Sequence, residues 1–150
     1  MAGPRSVRKM SMMRELYTQI LMDHYRRPRN RGELENHDLK EHLLNPLCGD
    51  EVSVYARFEG DKVAEVKFTG QGCSISQASA SMMAERLVGK NREDVHKQVE
   101  SFKSMMVGEE EFPEHDDLAA LRGVINYPAR VKCAVLAWTA LQNGLEKGAS

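Results

Sequence analysis

Three cysteines and one aspartate are the residues in this chain best placed to do chemistry. Asn45-Pro46-Leu47 leads into Cys48-Gly49-Asp50, so a thiol and a carboxylate two positions apart leave a proline-braced turn with glycine between them. Cys73 follows Gly70-Gln71-Gly72, and Cys133 closes the stretch Pro128-Ala129-Arg130-Val131-Lys132-Cys133. Three thiolates and one carboxylate make four ligands, the number that tetrahedral zinc takes. Spacing alone does not choose this reading, because there is no Cys-x-x-Cys pair and an isolated cysteine also serves as a small buried hydrophobe. Asp50, taken alone, reads more readily as a turn or cap residue than as a ligand.

The elements around these residues would have to bring them together. Leu16, Tyr17, Ile20, Leu21 and Tyr25 recur at helical spacing until Arg27-Pro28, which predicts a helix over 12–26 after a loose polar arm at 1–10. Residues 33–44 read as a polar connection. From Glu51 the period becomes two: Val52, Val54, Ala56 and Phe58, then Ala64, Val66 and Phe68, alternate with polar residues around Gly60-Asp61. Glycine at the first position of a two-residue loop predicts an antiparallel hairpin with a type II′ turn and one wet face.

Ser74 and Gln77 have capping-box spacing and open a predicted helix that stops at Gly89. Asn91 caps the next one, whose stripe is Val95, Val99, Phe102 and Met106. Residues 109–117 are acidic and contain Pro113, which predicts a loop; 118–121 predict a short helical turn. Pro128 suits the first turn of a last helix carrying Val131, Val135, Trp138, Leu141 and Leu145. Cys48 would then precede a strand, while Cys73 and Cys133 would lie at helix starts, where a thiolate is favoured. The expected fold class is α+β, a small antiparallel β-sheet covered by four to five helices, in a single domain over 11–150.

Composition narrows the function classes. At 150 residues, 41% hydrophobic and 29% charged, the chain has the make-up of one ordinary globular domain. A net charge of -1 gives no electrostatic footprint for nucleic acid. No apolar run approaches the roughly 20 residues of a membrane span, and the first residues lack a signal-peptide core, so the expectation is a soluble, cytoplasmic protein. Three scattered cysteines make a poor disulfide framework and point to reduced thiols. Gly70 and Gly72 lack the Gly-Lys-Ser/Thr of a phosphate loop. The five histidines, His24, His37, His42, His96 and His115, show no metal-type pairing.

Several stretches together resemble the IscU/NifU-like iron-sulfur assembly family from about Leu16 to Leu145: Asp23-His24-Tyr25 with Pro28-Arg29-Asn30 and Gly32, the Asn45 to Asp50 run, Gly70 to Ser76 with Ala78 to Met83, and Pro128 to Cys133. Two features are similar to its SufU-type branch of zinc-dependent sulfurtransferases. Lys132 stands where scaffold-type members carry a histidine before the third cysteine, and the segment 90–121 is long enough for the branch's insertion.

The resemblance implies an IscU/NifU N-terminal-like fold and zinc held by Cys48, Asp50, Cys73 and Cys133. It also implies that Cys48 accepts persulfide sulfur from a SufS-type cysteine desulfurase, a partner histidine taking its place on the metal. The sulfur then passes to downstream iron-sulfur assembly proteins. Arg130 resembles a family position that lends supporting charge. Such a protein is a sulfurtransferase-type partner of the desulfurase rather than a stand-alone enzyme. The alternative that the resemblance leaves open is a scaffold that assembles and transfers an iron-sulfur cluster on the same ligands.

Overall fold

The computed structural model describes residues 4–46, 49–112 and 116–148. In chain order these form α1 (Pro4–Arg26), β1 (Leu39–Asn45), β2 (Asp50–Glu59), β3 (Lys62–Gln71), α2 (Ser74–Leu87), α3 (Arg92–Met106), a 3₁₀ helix (Asp117–Asn126) and α4 (Pro128–Gly148). The sheet is antiparallel throughout, with strand order β1-β2-β3. The α+β fold expected of the sequence is what forms. α1 starts at Pro4, earlier than the expected residue 12, consistent with the tolerance of proline for a first helical turn.

The hairpin follows from its alternation and its turn. Gly60 has φ +62, which a type II′ turn demands at its first central position and which costs glycine no Cβ clash. Val52, Val54 and Ala56 face the core as expected. On β3 the alternation breaks: Arg57 pairs with Glu65 but Phe58 pairs with Val63, leaving Ala64 as the extra residue of a bulge. Val63, rather than the expected Ala64, is therefore buried beside Val66 and Phe68.

The polar connection expected at 33–44 contains a strand instead. β1 pairs with β2 from Leu39 opposite Ala56 to Asn45 opposite Asp50. Its pattern was obscured because the inward set includes Glu41, whose carboxylate meets Lys147 of α4 in an ion pair. The far edge of β3 is also covered: the Gly32 N–H donates to the Phe68 carbonyl at 2.8 Å, and the Val63 N–H donates to the Lys90 carbonyl at 2.9 Å. Both contacts blunt an edge that would otherwise offer free backbone groups.

Helices α2 and α4 lie against the sheet, with α1 and α3 packed on them. α2 is buried nearly all round, including Ser76, Ser79 and Ser81 among its alanines and methionines. Small side chains let neighbouring backbones approach it closely, which is why it carries little amphipathic signal. The expected capping box does not form: Cys73, not Ser74, is the N-cap, and Gln77 is buried. Asn91 does cap α3, accepting from the Asp94 N–H at 2.8 Å. The short turn expected at 118–121 is the core of the longer 3₁₀ helix, where Leu118, Ala119, Leu121 and Val124 are buried. Among the described residues no helix is long and apolar enough to cross a membrane.

Candidate metal centre

One end of the sheet gathers the residues that carry chemistry. Asp50 opens β2 directly across from Asn45, the last residue of β1, and the Gly49 N–H donates to the Asn45 carbonyl at 2.9 Å to close the connection between them. β3 ends at Gln71, after which Gly72 passes the chain straight into Cys73 and α2. Cys133 lies near the start of α4, buried against the same end.

The side chains meet. Asp50 is only 2% exposed. Its Oδ1 accepts a hydrogen bond from the Cys73 backbone N–H at 3.0 Å, and the Cys73 thiol points at its Oδ2 at 3.4 Å. One ligand atom from each of Asp50, Cys73 and Cys133 lies within 4.8 Å of the others. Cys73 is half-buried and Cys133 is buried. Asn45 Nδ2 donates to Cys133 Sγ at 4.0 Å, and the Cys133 thiol faces the Ala129 carbonyl at 3.7 Å.

The two glycines before Cys73 permit this closeness. A Cβ on Gly72 would stand 2.5 Å from Asp50 Oδ1 and 2.7 Å from Ser76 Oγ, and one on Gly70 would strike the Glu51 carbonyl. The stretch thus serves close approach between β3 and the start of β2.

The donor set fits a cation of zinc's size and softness. Zinc–sulfur bonds of about 2.3 Å and zinc–oxygen bonds of about 2.0 Å place tetrahedral ligand atoms roughly 3.5–3.8 Å apart. The Asp50–Cys73 pair is already at 3.4 Å and the whole set is within 4.8 Å, so modest side-chain adjustment closes the site. A carboxylate this buried needs compensating hydrogen bonds or positive charge, and a bound cation supplies charge.

Cys48 lies outside the described residues. Arg130 is exposed in the first turn of α4, three positions before Cys133. Lys132 is exposed and lines a groove with Leu43, Leu44, Asn45 and Pro46. The described histidines stand apart from the metal-capable group. His24 is buried, with Nδ1 bonded to Ser81 Oγ at 2.9 Å and Nε2 to Asp117 Oδ2 at 2.7 Å. His42 pairs with Glu51 at 3.5 Å on the outer face of the sheet. Sequence reasoning missed Asn45 as a neighbour of Cys133; its one signal was a polar residue ending an alternating stretch just before Pro46.

The family model for the NifU-like N terminal domain matches residues 16–147. The chain belongs to that family. Among relatives of this NifU-like domain, the zinc-dependent sulfurtransferase SufU of Bacillus subtilis is 46% identical over 134 residues, covering 88% of this chain and 90% of that one. The iron-sulfur cluster assembly scaffold protein IscU of Streptococcus pyogenes is 36% identical over 144 residues, covering 94% and 89%. A crystal structure from Fervidobacterium islandicum, described provisionally as an iron-sulfur cluster assembly scaffold protein for the SUF system, aligns with a TM-score of 0.78 at 39% identity, covering 85% of this chain and 94% of that one.

Proposed function

We propose that this NifU-like domain is a zinc-dependent sulfur acceptor for iron-sulfur cluster assembly in the cytoplasm. It takes persulfide sulfur from a SufS-type cysteine desulfurase onto Cys48 and passes it to downstream assembly proteins. The observation that carries this reading is the convergence of Asp50, Cys73 and Cys133, with Cys48 two positions before Asp50 in the sequence. The 46% identity to a zinc-dependent sulfurtransferase supports it.

In this reading Cys48, Asp50, Cys73 and Cys133 hold the metal. Bound zinc keeps its cysteine ligands deprotonated while undergoing no oxidation or reduction itself. Asp50, Cys73 and Cys133 sit on a strand end and two helix starts, and in this reading Cys48 is the ligand that is released. Once released beside the donor, its thiolate attacks the outer sulfur of the desulfurase persulfide. A new S–S bond forms on Cys48, the donor's S–S bond breaks, and the donor cysteine leaves as a thiolate, so no outside oxidant is needed. Asp50 is a harder ligand than a thiolate, which keeps the site more exchangeable than four cysteines would. Arg130 supplies supporting charge to the thiolate or persulfide.

The test is desulfurase turnover with the zinc-loaded protein, together with intact-mass measurement after incubation with the desulfurase and cysteine. Wild type should raise turnover and gain one sulfur; Cys48→Ala should do neither. Undiminished stimulation by the variant would reject the Cys48 assignment. Identity of 36% to an IscU scaffold favours a second reading, in which a cluster is built on the same ligands and handed on. Lys132 gives that reading no imidazole beside Cys133. A stable, transferable cluster formed anaerobically without displacing zinc would favour it.

A further inference from the structure

We propose that Asn45 is a positioning residue for the metal centre, its side-chain N–H fixing the orientation and donor strength of the Cys133 sulfur. The proposal rests on the reading of Asp50, Cys73 and Cys133 as metal ligands.

The backbone of Asn45 explains nothing about its side chain. Its carbonyl accepts the Gly49 N–H, a task any residue could perform. The side chain, however, is an amide in a residue only 7% exposed, at a strand end where an aliphatic residue would bury more cheaply. Register sets its direction: Asn45 is the cross-strand partner of Asp50, and directly opposed residues project to the same face of a sheet. The amide is thereby turned toward the metal-capable group, where Nδ2 lies 4.0 Å from Cys133 Sγ.

Two polar contacts of Cys133 among the described residues have opposite character. The Ala129 carbonyl at 3.7 Å can only accept, so it suits a sulfur that still carries its proton. The Asn45 N–H can only donate, so it suits a sulfur that has given its proton up, as a metal ligand has. A donated N–H draws electron density from the sulfur and orients its lone pairs, which is the usual work of groups just behind metal ligands. It also makes that sulfur a poorer nucleophile. In a centre with several cysteines, this helps keep Cys133 as a retained ligand while arriving sulfur goes elsewhere.

Cobalt(II), loaded into metal-free protein, is the probe. Wild type should give a sulfur-to-cobalt charge-transfer band and the visible absorption of tetrahedral cobalt. Asn45→Leu should shift the charge-transfer band to longer wavelength, because a sulfur without its hydrogen bond gives up an electron more readily. Zinc affinity by chelator competition should fall about 10- to 100-fold. Asn45→Gln, which retains the amide, should bring the band back toward wild type. Coincident bands and affinities in wild type and Asn45→Leu would overturn the proposal. Should Asn45→Leu lack native circular dichroism, Asn45→Asp, of similar size but without the N–H, is read by the same criteria; if both are unfolded, Asn45 is a residue of the fold and the proposal fails. Absence of a thiolate charge-transfer band in the wild type would instead reject the metal reading itself, and this proposal with it.

Discussion

Asp50 and Cys73 are joined twice, the carboxylate accepting the Cys73 backbone N–H through Oδ1 at 3.0 Å and facing its thiol through Oδ2 at 3.4 Å. The first contact ties the carboxylate to the backbone at the mouth of α2, so Asp50 is aimed before any metal arrives. The arrangement occupies the space over Gly72, whose missing Cβ would fall 2.5 Å from Oδ1. Gly72→Ala should therefore push the carboxylate off its mark, with a fall in zinc affinity of about 10-fold or more by chelator competition. Overpacking should cost about 1–3 kcal/mol in urea unfolding, leaving far-ultraviolet circular dichroism native. Unchanged zinc affinity would mean that Asp50 is not a ligand.

Asp50→Cys tests the exchangeable character of the site from the other side. A fourth thiolate is a softer ligand for zinc than a carboxylate, so the variant should release zinc more slowly to a chelator. It should also stimulate the desulfurase less than wild type, because a site that grips its metal more tightly gives up Cys48 less readily. Slower release with full stimulation would separate metal retention from sulfur acceptance.

The hairpin was legible because Val52, Val54 and Ala56 pack into the core on one side while polar residues alternate on the other. β1 was not, since the edge strand mixes Leu39 and Leu43 with the ion-paired Glu41 on its inward face. The bulge at Ala64 depends on pairing with β2, which no pattern within β3 reveals. Cys73, Cys133 and Asp50 were recognisable as ligand types, but their meeting depends on Gly70 and Gly72 letting two strand ends close up. His24 was hidden for a related reason: its partners Ser81 and Asp117 lie 57 and 93 positions away.

His24 links three elements, α1 through its own backbone, α2 through Ser81 and the 3₁₀ helix through Asp117. The Arg29 N–H also donates to Ser81 Oγ, at 2.7 Å, so the chain leaving α1 is tied to the same hydroxyl. His24→Ala would leave a cavity and remove both imidazole bonds. The expected cost is about 2–4 kcal/mol, measured by urea unfolding. A cost near zero would show that this buried network is dispensable to the fold.

Asp23 carries a pH-dependent contribution. The hydrogen bond from the Arg29 guanidinium, at 2.6 Å, holds its carboxyl below the ordinary value of 3.8, and the charges of Arg29 and Arg27 act in the same sense. A carboxyl whose value is lowered in the folded state stabilises the fold at neutral pH. That contribution begins to fade as pH falls toward 3.8 and is lost as pH drops through the lowered folded value. The stability difference between wild type and Asp23→Asn should thus be greatest near pH 7 and shrink in acid. Because the pair is only half-buried and open to solvent, added salt should narrow it at any pH. A difference that grew on acidification would contradict the assignment.

Ser79 clamps the two helices that carry Cys73 and Cys133. Its hydroxyl donates to the Ala134 carbonyl at 2.5 Å and accepts the Trp138 indole N–H at 3.0 Å, while the indole ring stacks on Phe102 with centroids 4.1 Å apart. Ala134 directly follows Cys133, and Ser79 lies less than two turns beyond Cys73, so this hydroxyl bears on the separation of the two sulfurs. Ser79→Ala orphans a buried indole N–H and removes a bond to the Ala134 carbonyl, which should cost about 1–3 kcal/mol. The single tryptophan, Trp138, makes intrinsic fluorescence the direct reporter of that unfolding transition. Zinc affinity should fall along with stability, because loosening α2 from α4 loosens Cys73 from Cys133. A destabilised variant with unchanged zinc affinity would show that the sulfurs are set by their local turns and not by the packing of the two helices.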